Sequence, residues 1–217
     1  MDPRKRLVRD CYDAVGDAYA ESRRRPSETS PDEERERVWY DRFAVMLPQG
    51  GRVLDLGCGN GDRYLADLQA RGFRTVAVDL SHRQTARARA RCPQAIVVEG
   101  DAAQIEFADG AFDGIFSYHA IFHMPRQEHA ALFARARRWL TDGGVALLTM
   151  AEMPADEWVD GPGLFTDLLG APTFYDAHLE NVPLALLESC GFDILDCYRP
   201  DPHDRSAGVM IVMARAR

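Results

Sequence analysis

The sequence predicts an α/β fold: a mostly parallel seven-stranded sheet with its last strand antiparallel and helices on both faces. Three observations carry this. From residue 52 onward, short apolar runs alternate with amphipathic stretches, the pattern of parallel strands joined by crossover helices. Within it, Val53-Leu54-Asp55-Leu56 breaks into Gly57-Cys58-Gly59-Asn60-Gly61, a strand that runs straight into a glycine turn. Near the end, apolar runs at 192–198 and 207–214 flank a polar segment from Arg199 to Arg205, long enough to reverse the chain into an antiparallel pair. With 217 residues the chain suits one such unit.

Residues 4–21 read as a helix with Leu7, Val8, Cys11, Val15 and Ala18 on one face. Ser30-Pro31-Asp32-Glu33 starts a second, with Ser30 as cap and Glu33 reaching back to it. Together they form an N-terminal helical cap or lid over 1–48, ahead of a single domain over 49–217. Strands are expected near 52–56, 74–79, 95–99, 112–117 and 144–150, with helices near 61–71, 82–92 and 126–140. Beyond them the sequence predicts a long loop over 152–177 and a helix over 178–190, stopped by Gly191.

Apolar residues make up 46% and charged residues 28%, ordinary for a soluble globular protein. A formal charge of -8 argues against a nucleic-acid partner, which favours a basic surface. The five cysteines (Cys11, Cys58, Cys92, Cys190, Cys197) are scattered and odd in number. They suit free thiols in a reducing, cytoplasmic setting better than disulfides or a metal centre. No apolar segment follows Met1–Arg6, and none approaches a membrane span, so neither a leader nor a membrane partner is expected.

Strand, glycine turn and helix make a nucleotide-sized site at the carboxyl edge of a parallel sheet. A dinucleotide turn, G-x-G-x-x-G, needs a glycine at 62, where the chain has Asp62. That carboxylate would stand against an anionic pyrophosphate at a helix N-terminus. A sulfonium ligand without phosphate meets no such conflict.

Residues 52–151 resemble the core of the class I S-adenosylmethionine-dependent methyltransferases, in particular the bacterial small-molecule type, a Rossmann-like fold. Val53 to Asp62 is similar to their first motif, with Asp55 near the strand end and Gly57, Cys58, Gly59, Asn60 and Gly61 as the cofactor loop. Val76-Ala77-Val78-Asp79-Leu80-Ser81 resembles the second, and the likeness assigns Asp79 to both ribose hydroxyls, with Leu80 beside it. A carboxylate suits a vicinal diol because it accepts from both oxygens. Glu99-Gly100-Asp101-Ala102 resembles the third, which implies Asp101 at the adenine amino group and the Ala102 backbone at the neighbouring ring nitrogen. Phe112 to Ser117 and Arg138 to Leu148 resemble the strand and the helix–glycine–strand unit that complete the site, with Ser117 at its edge. The resemblance thus implies S-adenosylmethionine as cofactor and transfer of a methyl group to a small-molecule acceptor. A partner protein that binds the cofactor or a nucleoside without catalysis is the alternative.

Tyr12 to Ala20 is similar to the N-terminal segment of many small-molecule members, which implies that Tyr19 covers the cofactor. Tyr12 and Tyr19, seven apart, also suit plain packing along one helix face. Methyl transfer needs the acceptor aligned with the reacting bond, and a base only where the acceptor must lose a proton. His119 and His123 follow the fourth strand and are the candidate bases. A histidine there can equally pack beside the cofactor. Tyr118, Trp158, Phe165, Phe174 and Tyr175 are candidates to wall an acceptor pocket or simply to bury a long loop. Asp176 is a candidate helix cap.

Overall fold

Along the first strand (β1, Arg52–Leu56), Val53 packs into one hydrophobic layer while Leu54 and Leu56 pack into another, because successive strand side chains leave opposite faces. The fifth strand (β5, Leu140–Met150) repeats this, with Val145 and Leu147 on one side and Ala146 and Leu148 on the other. Strands buried on both faces read as unbroken apolar runs, which is how the sequence presents them. The computed structural model describes residues 1–24, 31–155, 161, 163–200 and 209–217.

The remaining elements of the sheet are β2 (Arg74–Asp79), β3 (Ile96–Glu99), β4 (Phe112–Ser117), β10 (Phe192–Tyr198) and β11 (Met210–Ala216). Seven strands lie in the order β10-β11-β5-β4-β1-β2-β3. All neighbours are parallel except at β11, which runs antiparallel to both β5 and β10. One face is covered by α5 (His129–Trp139) and α6 (Val182–Ser189), through Leu132, Phe133, Trp139 and Leu187. The other is covered by α2 (Pro31–Met46) and α3 (Tyr64–Ala70), through Trp39, Tyr40, Phe43 and Leu68. No described helix is long and apolar enough to cross a membrane.

The first helix, α1 (Pro3–Arg24), crosses the carboxyl edge of the sheet and packs between α4 (His82–Arg91) and the strand β8 (Ala171–Tyr175). Gly16 makes the approach to α4 possible, since a Cβ there would come within 1.8 Å of Gln84 Nε2. Asp13 then accepts from Ser81 Oγ and from the Arg83 backbone N–H at 3.1 Å.

Four expectations are corrected. The stretch 152–177 is not a plain loop. It holds β6 (Glu152–Met153) and β7 (Leu164–Leu168), and β7 forms an antiparallel hairpin with β8. Leu169 and Gly170 turn it with φ of 51° and 87°, the two positive angles that a two-residue type I′ turn requires. The helix expected from 178 begins only at Val182. His178 and Leu179 (β9) pair instead with β6, and left-handed Asn181 separates them from the helix. Asp176 therefore does not cap that helix; it is buried, accepts from the Arg126 backbone N–H at 2.8 Å and pairs with the Arg126 side chain at 2.9 Å. The helix expected from 61 starts at Tyr64, because Asn60 Oδ1 accepts from Asp62 N–H and holds 60–62 as a turn. The Ser30 cap and the polar turn at 201–205 lie outside the described residues.

Candidate active site

A cavity of about 230 Å³ lies under α1 at the carboxyl ends of β1, β2 and β4. Its floor is the turn after β1. Gly57 adopts φ 82° and lies so close to Ala120 that a Cβ would come within 2.1 Å of the alanine methyl. Gly59 adopts φ 54°, and a Cβ there would meet no atom within 4 Å, so the backbone is bare toward open space. A glycine is thus needed at 57 for packing and at 59 for its backbone angle. Gly61, expected to touch the cofactor, does not line the cavity. It packs against Ala88 of α4 and Cys92 just beyond its end.

Asp79 closes β2 deep in the protein, yet its carboxylate opens onto the cavity. Oδ2 accepts from Gly59 N–H at 2.9 Å and Oδ1 from Ser81 N–H at 2.9 Å. Burial raises its pKa, against the lowering effect of the backbone N–H groups of Ser81, Gly59 and Leu80. Asp55 is almost wholly buried, and burial, together with the charge on Asp79, pushes its pKa up to about 8. Two carboxylates on one floor favour a cation between or beside them. The floor therefore suits a ligand with a sulfonium and an ammonium group.

Cys58, Asn60, Leu80, Asp101, Ala102, Ser117 and Tyr19 also line this cavity. Ser117 Oγ donates to the Leu56 carbonyl at 2.7 Å, so its hydroxyl serves the sheet edge. Asp101 accepts from Ala103 N–H at 2.9 Å and meets Lys5 Nζ at 2.5 Å. Lys5 also meets Glu128 at 2.6 Å. Burial alone would lower the lysine pKa, but the two carboxylates hold it above its ordinary value. Lys5 escapes sequence reading, because Arg4-Lys5-Arg6 looks like a solvated basic cluster, whereas the side chain is 5% exposed.

His119 and His123 both line the cavity. His123 Nδ1–H donates to the Phe174 carbonyl at 2.7 Å, which leaves Nε2 as an acceptor, and the Tyr12 hydroxyl donates to it at 3.0 Å. Burial lowers the His123 pKa to about 4, so the ring is neutral near pH 7. His119 sits at φ 55°, left-handed for a residue with a side chain. Its N–H donates to Thr149 Oγ1 at 2.7 Å, and its Nε2 pairs with Glu36 Oε1 of α2 at 2.6 Å. Glu36 is a second contributor that no sequence signal announced.

A second cavity of about 180 Å³ adjoins the first and shares Tyr12, Tyr19, His119 and His123 with it. Its far wall is Phe122 and the β7–β8 hairpin, through Thr166, Asp167, Leu168 and Thr173. Of the aromatic residues expected to wall an acceptor, the four described ones do not line the second cavity. Tyr118 lies on the first cavity with its hydroxyl donated to the Glu36 carbonyl, and Phe174 is fully buried behind the hairpin. Tyr175 packs on Phe122 and His123, Phe165 is 62% exposed, and Trp158 lies outside the described residues.

Comparison with known proteins agrees with this geometry. Residues 53–144 match a family model described as a methyltransferase domain. A methyltransferase of Synechocystis is 32% identical over 154 residues, covering 70% of this chain and 71% of the relative. The 27-O-demethylrifamycin SV methyltransferase of Amycolatopsis mediterranei is 34% identical over 112 residues, which is 48% of this chain and only 40% of that relative's length. Among solved structures, the [4+2]-cyclase SpnF superposes with a TM-score of 0.72 at 20% identity, covering 98% of this chain and 96% of that one. A Burkholderia thailandensis 1,6-didemethyltoxoflavin N1-methyltransferase, solved with its acceptor and S-adenosylhomocysteine, superposes with a TM-score of 0.68 at 22% identity, covering 100% of this chain and 91% of that one. These structural likenesses speak to the fold.

Proposed function

The chain belongs to the class I S-adenosylmethionine-dependent methyltransferases, and from that premise we propose that it moves a methyl group to an oxygen, nitrogen or carbon atom of a small-molecule acceptor in secondary metabolism. The observation that carries the proposal is the junction of the two cavities at Tyr12, Tyr19, His119 and His123. One side offers the acidic glycine-loop floor, the other a separate compartment, and no other described wall is shared between them.

When bound, the cofactor supplies an electrophilic methyl on a sulfonium. In this reading Asp79 holds the ribose diol, with Leu80 beside it. Asp101 and the Ala102 backbone take the adenine end, and Asp55 faces the cationic end. Cys58, Gly59, Asn60 and Ser117 shape the floor and edge. Within residues 1–48, α1 acts as the cap, with Tyr19 closing the junction. Holding the acceptor in line supplies much of the rate. A proton leaving the acceptor passes to His123 Nε2, directly or through the Tyr12 hydroxyl bonded to it. His119, fixed by Glu36, frames the opposite edge.

Isothermal titration with S-adenosylmethionine and with S-adenosylhomocysteine tests the cofactor half of the proposal, and lack of binding by either removes it. Incubation of a methyl-labelled cofactor with extracts tests the transfer half. Label that never leaves the cofactor favours a protein that binds without transferring, a reading that the shared fold of a [4+2]-cyclase keeps in view.

A further inference from the structure

The second cavity carries more information than its position. We propose that it is the acceptor site and that it takes an uncharged acceptor of one or two fused rings bearing a hydroxyl or a ring nitrogen, and that it discriminates against anions. This rests on the methyltransferase reading above.

Size comes first. At about 180 Å³ the space is smaller than the ~300 Å³ at which pockets for drug-sized ligands begin. A ring pair fits; a polyketide-sized body would have to leave most of itself outside.

Shape comes next. Tyr12, Tyr19, His119, Phe122 and His123 bring five ring systems to one small space. Tyr12 meets Tyr19 and His123 edge to face at centroid distances of 5.8 and 5.5 Å. Ring edges and faces in that arrangement accept a flat guest by offset or edge-to-face contact.

Charge settles the class. Among the described lining residues there is no lysine or arginine, and the one formal charge is Asp167, whose Oδ1 accepts from Gly170 N–H at 2.7 Å. The nearby arginines are already committed, Arg4 to Asp2 and Arg126 to buried Asp176, both at 2.9 Å. A carboxylate or phosphate guest would lose its hydration without gaining a cation.

The hydrogen-bonding residues are Tyr12 and His123. Both line the cavity, and the Tyr12 hydroxyl and His123 Nε2 lie 3.0 Å apart. A guest with a hydroxyl or a ring nitrogen can exchange hydrogen bonds with that pair.

The test is calorimetric titration of the S-adenosylhomocysteine-loaded protein with naphthol and hydroxyquinoline, and with hydroxynaphthoate as the carboxylated counterpart. The neutral compounds should bind saturably and hydroxynaphthoate at least tenfold more weakly. Thr166→Trp, placed on the exposed strand of the hairpin, should weaken the neutral compounds at least tenfold and leave S-adenosylhomocysteine affinity within twofold. Equal binding of the carboxylated compound, indifference to Thr166→Trp, or no binding of either neutral ring to a protein that does bind S-adenosylhomocysteine overturns the proposal. Failure to bind S-adenosylhomocysteine overturns the methyltransferase reading instead.

Discussion

The two cavities that meet at Tyr12 and His123 are built in opposite ways. The first is made of backbone and carboxylates at the ends of neighbouring parallel strands, fixed by bonds such as Gly59 N–H to Asp79. The second is made of side chains from a helix, a short turn and a hairpin, held by contacts such as His123 Nδ1–H to the Phe174 carbonyl, 51 residues away. The difference teaches where variation is cheap. Rearranging the first breaks the sheet edge, whereas the second changes when a surface hairpin changes, and so it is the part free to set the acceptor.

The largest effect should come from the first cavity. Asp79→Ala removes an acceptor of two backbone N–H groups and of the ribose, and S-adenosylmethionine affinity should fall about a hundredfold or more by calorimetry. An unchanged affinity would place the ribose elsewhere and dissolve the contrast. Next, His123→Ala should lower kcat by about ten- to a hundredfold, with cofactor affinity within threefold, and Tyr12→Phe should follow in the same direction. A parallel loss of cofactor binding would mean that the two compartments are not separate.

A smaller, graded effect follows from Asp55, whose pKa stands near 8 in the free protein. Binding a cation beside it favours the ionised form, so binding releases a proton below that pH. S-adenosylmethionine affinity should therefore rise between pH 6 and pH 8, by at most about tenfold per unit, and Asp55→Asn should flatten the slope. The reverse sign would remove Asp55 from the cationic end.

On the acceptor side, His123 and the buried His129 both have pKa values lowered to about 4, chiefly by burial. The unfolded chain, titrating near 6.5, binds more protons than the folded one between those values. Their contribution to stability is whole above pH 6.5 and is lost as pH falls toward 4, by at most about 1.4 kcal/mol per histidine per pH unit. Denaturant titrations across that range should show the decline, and His129→Asn should reduce its slope. The smallest effect is Phe165→Ser, which should change stability by about 0.5 kcal/mol or less and leave cofactor affinity alone, since the ring is 62% exposed and lines neither cavity.

Legibility in the sequence divides along the same line. Asp55, Gly57, Gly59 and Asp79 sit in consecutive motifs whose roles follow from strand ends and turns, and the sheet order needs only alternation of strand and helix. Lys5 and Glu36 act through partners remote in sequence; Lys5 reaches Glu128 across 123 residues and Glu36 reaches His119 across 83. No local pattern encodes such a meeting. The hairpin at 164–175 is hard to read for a related reason: its turn is Leu169-Gly170, and leucine is not a residue that announces a positive φ. Its aromatic residues are the conspicuous ones in the sequence, whereas Thr166, Asp167, Leu168 and Thr173 line the cavity.

One consequence follows from the helix that roofs both compartments. Tyr12 and Tyr19 belong to each cavity, so a guest in either restrains the same segment of α1. The entropy lost in stilling that segment is then met once and shared by both guests. Binding in the two cavities should be positively and reciprocally coupled. Whatever factor S-adenosylhomocysteine contributes to the affinity for a ring compound, the ring compound must return to S-adenosylhomocysteine.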